Sequence, residues 1–463
     1  MRRAIAPFVI GVALSAWINS QWGGMEDAYI NYQYAVRLAA GEGFTFSPGA
    51  APTYGTTTPL WTLILAALAR GGLSPHAAGP VLECVFHGLT AAMVTLIGIE
   101  LAGAAAGLLA GLFCAISLSV FFLTGGMETS LLMFLAALMA WAGMKARQSG
   151  RWRGVESVLP GLLMLTRPDA VLLAAPVILF RCRESLRQGV KLTALTALIY
   201  LPWALYAFMT FGDIVPFSMR AKYAVSGASG YMGLSTFLRQ YVALGKGSAV
   251  ALWLLLAVAA VGAASLWPRA PRFRPFIVWL PLYYLALVKV GRAPDFPWYY
   301  APPIWVAYLL IVSGLQRLAA FAPERRRRIA FGCCAALCLL VVGWSNWKAV
   351  APLRARNPYL SFHRMLAERV SALSKPGDLV ATAEIGNIAY WTGRRILDIR
   401  ALTSPEVLEY AKARDIGPMI RQWKPDLAVL LGWENQPELK SGYEIRERYM
   451  YWNGMYYNIY MKK

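Results

Sequence analysis

Charge is scarce in this sequence. Of 463 residues only 15% are Asp, Glu, Lys or Arg, whereas 58% are hydrophobic, and the mean hydropathy is +0.46. That shortage excludes a soluble globular protein, and the length excludes a single buried core. Acidic residues are the scarcer sign, 24 against 45 basic, which leaves a net charge of +21 and a pI near 9.9. In a soluble chain such an excess points to nucleic acid. Here the basic residues form short clusters between apolar runs, which is the pattern of membrane topology, and no nucleic-acid partner is expected. Histidine is rare: His76, His87 and His363 are scattered, none beside another metal-ligand candidate, and each reads as a packing or surface residue. Five of the six cysteines (Cys84, Cys114, Cys333, Cys334, Cys338) lie within apolar segments and Cys182 beside a basic loop. They spell neither a disulfide framework nor a metal-ligand spacing. What remains is a polytopic membrane protein.

The apolar runs set its order. Met1-Arg2-Arg3 precedes a first run that is read as a retained span with its basic end in the cytoplasm. A polar first outer loop, 21–57, follows. Residues 59–69 are apolar but cover only about half of a ~30 Å hydrocarbon core, so they are expected to be interfacial or re-entrant. Spans are then expected at 77–99, 104–123 and 129–144. If 59–69 does not cross, the cluster Lys145, Arg147, Arg151 and Arg153 is cytoplasmic, as the positive-inside rule requires. Residues 155–181 are apolar except for Thr166-Arg167-Pro168-Asp169 in the middle, with basic residues at both ends. Two basic ends imply a hairpin of half-helices; the alternative is one kinked span. Further spans at 193–210, 248–267, 275–290, 299–316 and 329–346 bring the total to about 11 transmembrane helices and place the C-terminus outside.

The last 115 residues change character. Strands are expected at 378–383, 395–399 and 426–431, a helix at 405–413, and a hairpin of 443–451 with 455–461 around Asn453-Gly454. The expected division is therefore a membrane domain, 1–348, and a small extracytoplasmic α/β domain, 349–463. The latter has no glycine-rich phosphate loop, no Ser/His/Asp arrangement and no convincing repeat.

Glu26 and Asp27 form an adjacent acidic pair just past the first apolar run. Carboxylates at such a border are costly to dehydrate unless they face water, a partner or a substrate. They read either as the floor of a site or as a solvated pair in the first turn of a helix. Further on, Gly125-Gly126-Met127-Glu128-Thr129, Leu165-Thr166-Arg167-Pro168-Asp169, and Phe211-Gly212-Asp213 with Pro216 and Lys222 stand out. So do Phe296-Pro297-Trp298-Tyr299-Tyr300-Ala301-Pro302 and Glu384-Ile385-Gly386-Asn387-Ile388-Ala389-Tyr390. With Glu26-Asp27-Ala28-Tyr29-Ile30 and Thr56-Thr57-Thr58-Pro59-Leu60-Trp61, this ordered set resembles the GT-C superfamily of polyprenyl-phosphate-sugar-dependent glycosyltransferases. It is most similar to the bacterial arabinofuranosyltransferases that terminate mycobacterial arabinan or decorate pilin. One departure is plain: that branch carries Asp-Asp where this chain has Glu26-Asp27.

The resemblance implies a GT-C membrane fold and transfer of a sugar, D-arabinofuranose, from a polyprenyl monophosphate to a glycan or protein hydroxyl. The reaction would lie at the outer face of a bacterial inner membrane. A mannosyl or aminoarabinosyl donor is the alternative within the superfamily, and a lipid or sugar transporter or flippase the alternative outside it. Such transfer needs a carboxylate to take the acceptor proton and cations to meet the leaving phosphate. Asp27, which keeps the family residue, is the first candidate base and Glu26 the second. Arg167, Lys222 and Arg220 are candidate phosphate ligands; otherwise Arg167 pairs with Asp169 and Lys222 is a solvated loop residue. Glu128 is read as orienting sugar hydroxyls or else capping a helix, and Asp295 as a further acid on the same side. Tyr54, Trp61, Trp298, Tyr299 and Tyr300 are read as stacking on the sugar or lining the lipid groove, or else as interfacial belt anchors. An adjacent Glu-Asp is not the spaced carboxylate pair of a divalent-metal site, so no obligatory metal or other cofactor is expected.

Overall fold

The computed structural model describes residues 2–22, 25–116, 125–150, 152–226, 249–289, 297–354, 359–432, 437–452 and 455–463. Its helices begin with α1 (Ile5–Trp22), α2 (Glu26–Ala39), α3 (Pro59–Arg70), α4 (Pro75–Ala102), α5 (Ala104–Ile116) and α6 (Thr129–Ser149). They continue with α7 (Arg153–Thr166), α8 (Val171–Glu184), α9 (Leu186–Phe211), α10 (Phe217–Ser226), α11 (Ala249–Arg269), α12 (Arg274–Lys289), α13 (Ile304–Ala319) and α14 (Glu324–Arg354). The C-terminal region adds α15 (Tyr359–Leu373), α16 (Ile385–Thr392), α17 (Leu408–Ala413), α18 (Gly417–Trp423) and α19 (Pro437–Gly442). Its strands are β1 (Leu379–Thr382), β2 (Arg395–Asp398), β3 (Leu427–Leu431), β4 (Tyr443–Trp452) and β5 (Met455–Lys462). The protein is a polytopic α-helical membrane protein with a small C-terminal α/β domain.

Two compact units form, one of Met1–Trp22, Pro80–Trp203 and Met232–Arg356, the other of Gly23–Gly79, Ala204–Tyr231 and Asn357–Lys463. The units are not contiguous in sequence: residues 25–79 and 204–226 belong with the C-terminal residues.

The first unit is a helical bundle. Among the described residues, Arg2–Ser20, Pro75–Ala102, Thr129–Ser149 and Leu186–Phe211 are long and apolar enough to cross a membrane. On α9 the side chains of Leu198, Leu201, Leu205, Phe208 and Met209 are exposed. An apolar surface of that extent needs a lipid or protein cover. α11 and α13 cross with almost no space between them: a Cβ on Gly262 would lie 1.9 Å from the Leu310 carbonyl oxygen and one on Gly314 2.0 Å from that of Val258. Without a hydrophobic drive between helices in lipid, such small-residue contacts carry the packing. α7 and α8 have 14 residues each, about 21 Å at 1.5 Å per residue, too short to span alone. Pro168 bars the helix from running through between them. Arg181 at the end of α8 donates to Glu156 at the start of α7 at 2.6 Å, although an unbroken helix would hold residues 25 apart about 38 Å from each other. The segment therefore turns back as a hairpin, closed by a buried ion pair.

In the second unit the sheet order is β2-β1-β3-β5-β4, with β1 parallel to β2 and β3, and β5 antiparallel to β3 and β4. The crossover from β1 to β2 is α16. The expected strands and hairpin are present; the turn residues Asn453-Gly454 lie outside the described residues. The expected 405–413 helix begins as a 3-10 turn, Pro405–Val407, before α17. Ala221 of α10 is fully buried in this unit's core with Leu397, Met419 and Leu430, and Phe217 packs beside them, which anchors the helix that carries Lys222.

Candidate functional site

In the second unit the acidic pair opens α2, and its two carboxylates meet different surroundings. Consecutive helical residues point about 100° apart. Glu26 is buried and its Oε1 accepts hydrogen bonds from the backbone amides of Gly386 and Asn387 (3.2 Å for Asn387) in the first turn of α16. Amides there lack intrahelical partners and the helix dipole favours an anion, so Glu26 serves as the cap that α16 lacks from its own sequence. Burial nevertheless pushes Glu26 well above the usual carboxylate range, aided by the charges of Glu384 and Asp27, while the two amides oppose the rise. The contact needs Gly386. A Cβ at this position would lie 2.6 Å from the Glu26 carbonyl oxygen and 2.9 Å from the Ile30 amide nitrogen. Gly386→Ala is therefore expected to force α16 off α2 and cost about 1–3 kcal/mol. The check is the thermal unfolding midpoint of the purified protein, and an unchanged value would show that the helices separate without cost.

Asp27 is half-buried at the second position of α2. Burial raises its pKa and Glu384 adds to the rise, whereas the positive charges of Lys222 and Arg400 pull it down. Arg400 is brought there by a tight loop after β2. Buried Asp398 accepts from the amides of Arg400 and Thr403, both at 2.8 Å, and the loop holds Ala401 at φ 60. A non-glycine residue in that region persists only where its surroundings over-determine it. Glu384 sits immediately before α16. Burial works to raise its pKa, but the nearby His363, a hydrogen bond from Tyr457 and the charge of Arg400 outweigh burial and hold it below the usual range. His363 Nε2 is 3.2 Å from Glu384 Oε2, and Tyr457 Oη donates to Oε1 at 2.5 Å.

The first unit holds a second charged cluster. Arg167, in the break between α7 and α8, donates to Glu128 Oε1 at 3.0 Å and, through Nε and Nη2, to Asp169 at 3.0 and 2.9 Å. Tyr283 donates to Asp169 at 3.0 Å, and the guanidinium lies 5.1 Å over the Tyr299 ring. In the same unit, buried Glu83 accepts from Asn19 and from the amides of Gly125 and Gly126 at 3.0–3.1 Å. It thus holds the turn that leads into Glu128.

These placements alter several expectations. Arg167 makes the carboxylate pairing foreseen as its alternative. Glu128 is 2% exposed and makes no side-chain cap bond; it is the partner of Arg167. Trp61 is fully buried and Tyr54, 4% exposed, stacks on Phe211 at 4.8 Å, so neither offers a face to a sugar. The Thr56-Thr58 element is internal as well, its hydroxyls donating to Asn31 at 2.7 and 3.0 Å and so fixing α3 against α2. Trp298 is buried, Tyr299 half-buried, and Arg220 pairs with Asp213 at 2.8 Å near the surface. Asp295 lies outside the described residues. Around Asp27 the structure gathers Glu26 and Lys222, which the sequence singled out, with Glu384, His363, Arg400 and Tyr457, to which it assigned no role. Glu384 stands in a motif that was noticed; Arg400 carried no signal beyond following a strand. Among the described residues no group of three or more His, Cys, Asp or Glu side chains is arranged to hold a metal ion.

Residues 351–460 match a family described as a domain of unknown function, DUF8728. No curated protein matches the sequence. Among solved structures, ArnT from Cupriavidus metallidurans bound to undecaprenyl phosphate is similar, with a TM-score of 0.59 and 12% identity over 98% of this chain and 97% of that one. The oligosaccharyltransferase of Archaeoglobus fulgidus complexed with zinc and sulfate aligns at 0.59, with 13% identity over 91% of this chain and 67% of its own. The same enzyme with an inhibitory peptide and a dolichol-phosphate aligns at 0.58, with 12% identity over 92% and 69%. The chain shares the fold of these structures. At these identities the likeness is one of architecture, and the chemistry has to be argued from the site itself.

Proposed function

We propose that this protein is a membrane glycosyltransferase that moves a sugar, D-arabinofuranose, from a polyprenyl monophosphate to a hydroxyl of a glycan or protein acceptor. The reaction is assigned to the outer face of a bacterial plasma membrane. The observation that carries this reading is the setting of Asp27: a half-buried carboxylate that feels the cations Lys222 and Arg400, while its neighbour Glu26 is engaged as a helix cap. The GT-C architecture, shared with an ArnT bound to undecaprenyl phosphate, supports a lipid-phosphate donor.

In this scheme Asp27 takes the proton from the acceptor hydroxyl as its oxygen attacks the anomeric carbon. The bond from that carbon to the phosphate oxygen breaks, and the polyprenyl phosphate leaves with the bond's electron pair. Lys222 and Arg400, whose charges both act on Asp27, stabilise the charge that gathers on the departing phosphate. Arg167 takes no part in this step; it holds the α7–α8 break and Glu128 in place.

The test is transfer of radiolabelled sugar from synthetic polyprenyl-phosphate arabinofuranose to acceptors in membranes containing the protein. Transfer above the level of membranes lacking it is expected. Activity only with polyprenyl-phosphate mannose or aminoarabinose would retain the reaction and replace the sugar. No transfer from any lipid-phosphate sugar would overturn the proposal in favour of a transporter.

A further inference from the structure

Glu384 has no part in the chemistry just described, yet it is among the most constrained side chains of the second unit. It is the residue before α16, whose first-turn amides clasp Glu26, and Glu26 adjoins Asp27. Four segments converge on its carboxylate. α15 brings His363, itself 1% exposed, to 3.2 Å, and β5 brings the Tyr457 hydroxyl to 2.5 Å. α2 brings Glu26 and Asp27, and the loop after β2 brings Arg400. A third carboxylate beside two others is unfavourable unless something holds it as an anion. His363 and Tyr457 do so, and both belong to the C-terminal residues.

We propose that Glu384 is a positioning residue for Asp27: an anion held by His363 and Tyr457 at the head of the helix that Glu26 caps, acting on Asp27 through its charge. A fixed negative charge near a carboxylate disfavours loss of its proton, so the anion of Glu384 makes Asp27 a stronger base toward the acceptor hydroxyl. The opposing pull comes from Lys222 and Arg400, and Glu384 offsets it. In this way the C-terminal α/β domain would set the working pH of a base at the other end of the chain.

The proposal rests on the reading of Asp27 as the base, and the experiment separates the two. The pH dependence of kcat/KM for sugar transfer would be measured for the wild type, Glu384→Gln, Glu384→Asp and Tyr457→Phe. Glu384→Gln is expected to move the acidic limb down by about one pH unit, because removing the anion lets Asp27 ionise earlier. Glu384→Asp, which keeps the charge, should restore the limb toward the wild type, and Tyr457→Phe should shift it in the same direction as Glu384→Gln by less. A merely structural role would lower the rate at every pH and leave the limb in place, which would overturn the proposal. Should Glu384→Gln fail to accumulate, Tyr457→Phe decides, since an unmoved limb there is equally fatal. A wild type that transfers while Asp27→Asn transfers equally well would refute the base itself.

Discussion

Replacing Asp27 by Asn is expected to lower sugar transfer by about 10²–10⁴-fold while leaving the protein folded, since a positioned general base contributes that much. Asn matches Asp in size and keeps one acceptor oxygen, but it takes no proton at working pH. Asp27 is half-buried and no backbone capping bond depends on its side chain, so the fold should tolerate the change. Glu26→Gln makes the contrasting control. Its amide oxygen can still accept from Gly386 and Asn387, and Glu26→Ala, which removes the cap of α16, is expected to cost about 0.5–2 kcal/mol in stability. Rates for both carboxamide variants at matched expression are the check. An inactive Glu26→Gln beside an active Asp27→Asn would reverse the assignment of base and cap.

The second large effect is expected in stability. Arg167→Ala strands two carboxylates, Glu128 at 2% and Asp169 at 21% side-chain exposure, that now share one guanidinium. Removing one partner of a buried ion pair typically costs about 3–5 kcal/mol because the other charge stays behind unpaired. Arg167→Lys should recover only part of this loss, since an ammonium cannot reproduce the fork to Asp169 together with the bond to Glu128. Thermal unfolding in detergent would show a fall in midpoint for Arg167→Ala and a smaller one for Arg167→Lys. A variant as stable as the wild type but with a raised KM for the lipid donor would instead return Arg167 to phosphate binding.

Much of the architecture was legible because it rests on local or compositional physics. The scarcity of charge specified a membrane protein, and the length of each apolar run fixed where helices lie, since a bilayer tolerates backbone only when its hydrogen bonds are satisfied within the segment. Pro168 announced the break between α7 and α8, and the basic residues on both sides announced a hairpin. The strands of the C-terminal region were visible as short β-branched and aromatic runs. α16 was missed: eight residues are too few for a helical period to declare itself.

The division of labour at the acidic pair was not legible. Glu26 and Asp27 are neighbours of nearly identical chemistry, and what separates them is a contact with α16 that lies 360 residues away in the chain. Arg167 likewise meets, besides Asp169 two residues on, the carboxylate of Glu128, 39 residues earlier. Trp61 and Tyr54 carried the composition of a sugar-binding surface and lie inside the unit, because aromatic residues serve a core as well as a site and only burial tells the two apart. By itself the sequence determined the solvent this protein lives in, the spacing of its helices and the carboxylates and cations available to it. Which of them meet was decided by the tertiary structure, because charge and hydrogen bonding act over a few ångströms, a distance that chain separation does not measure.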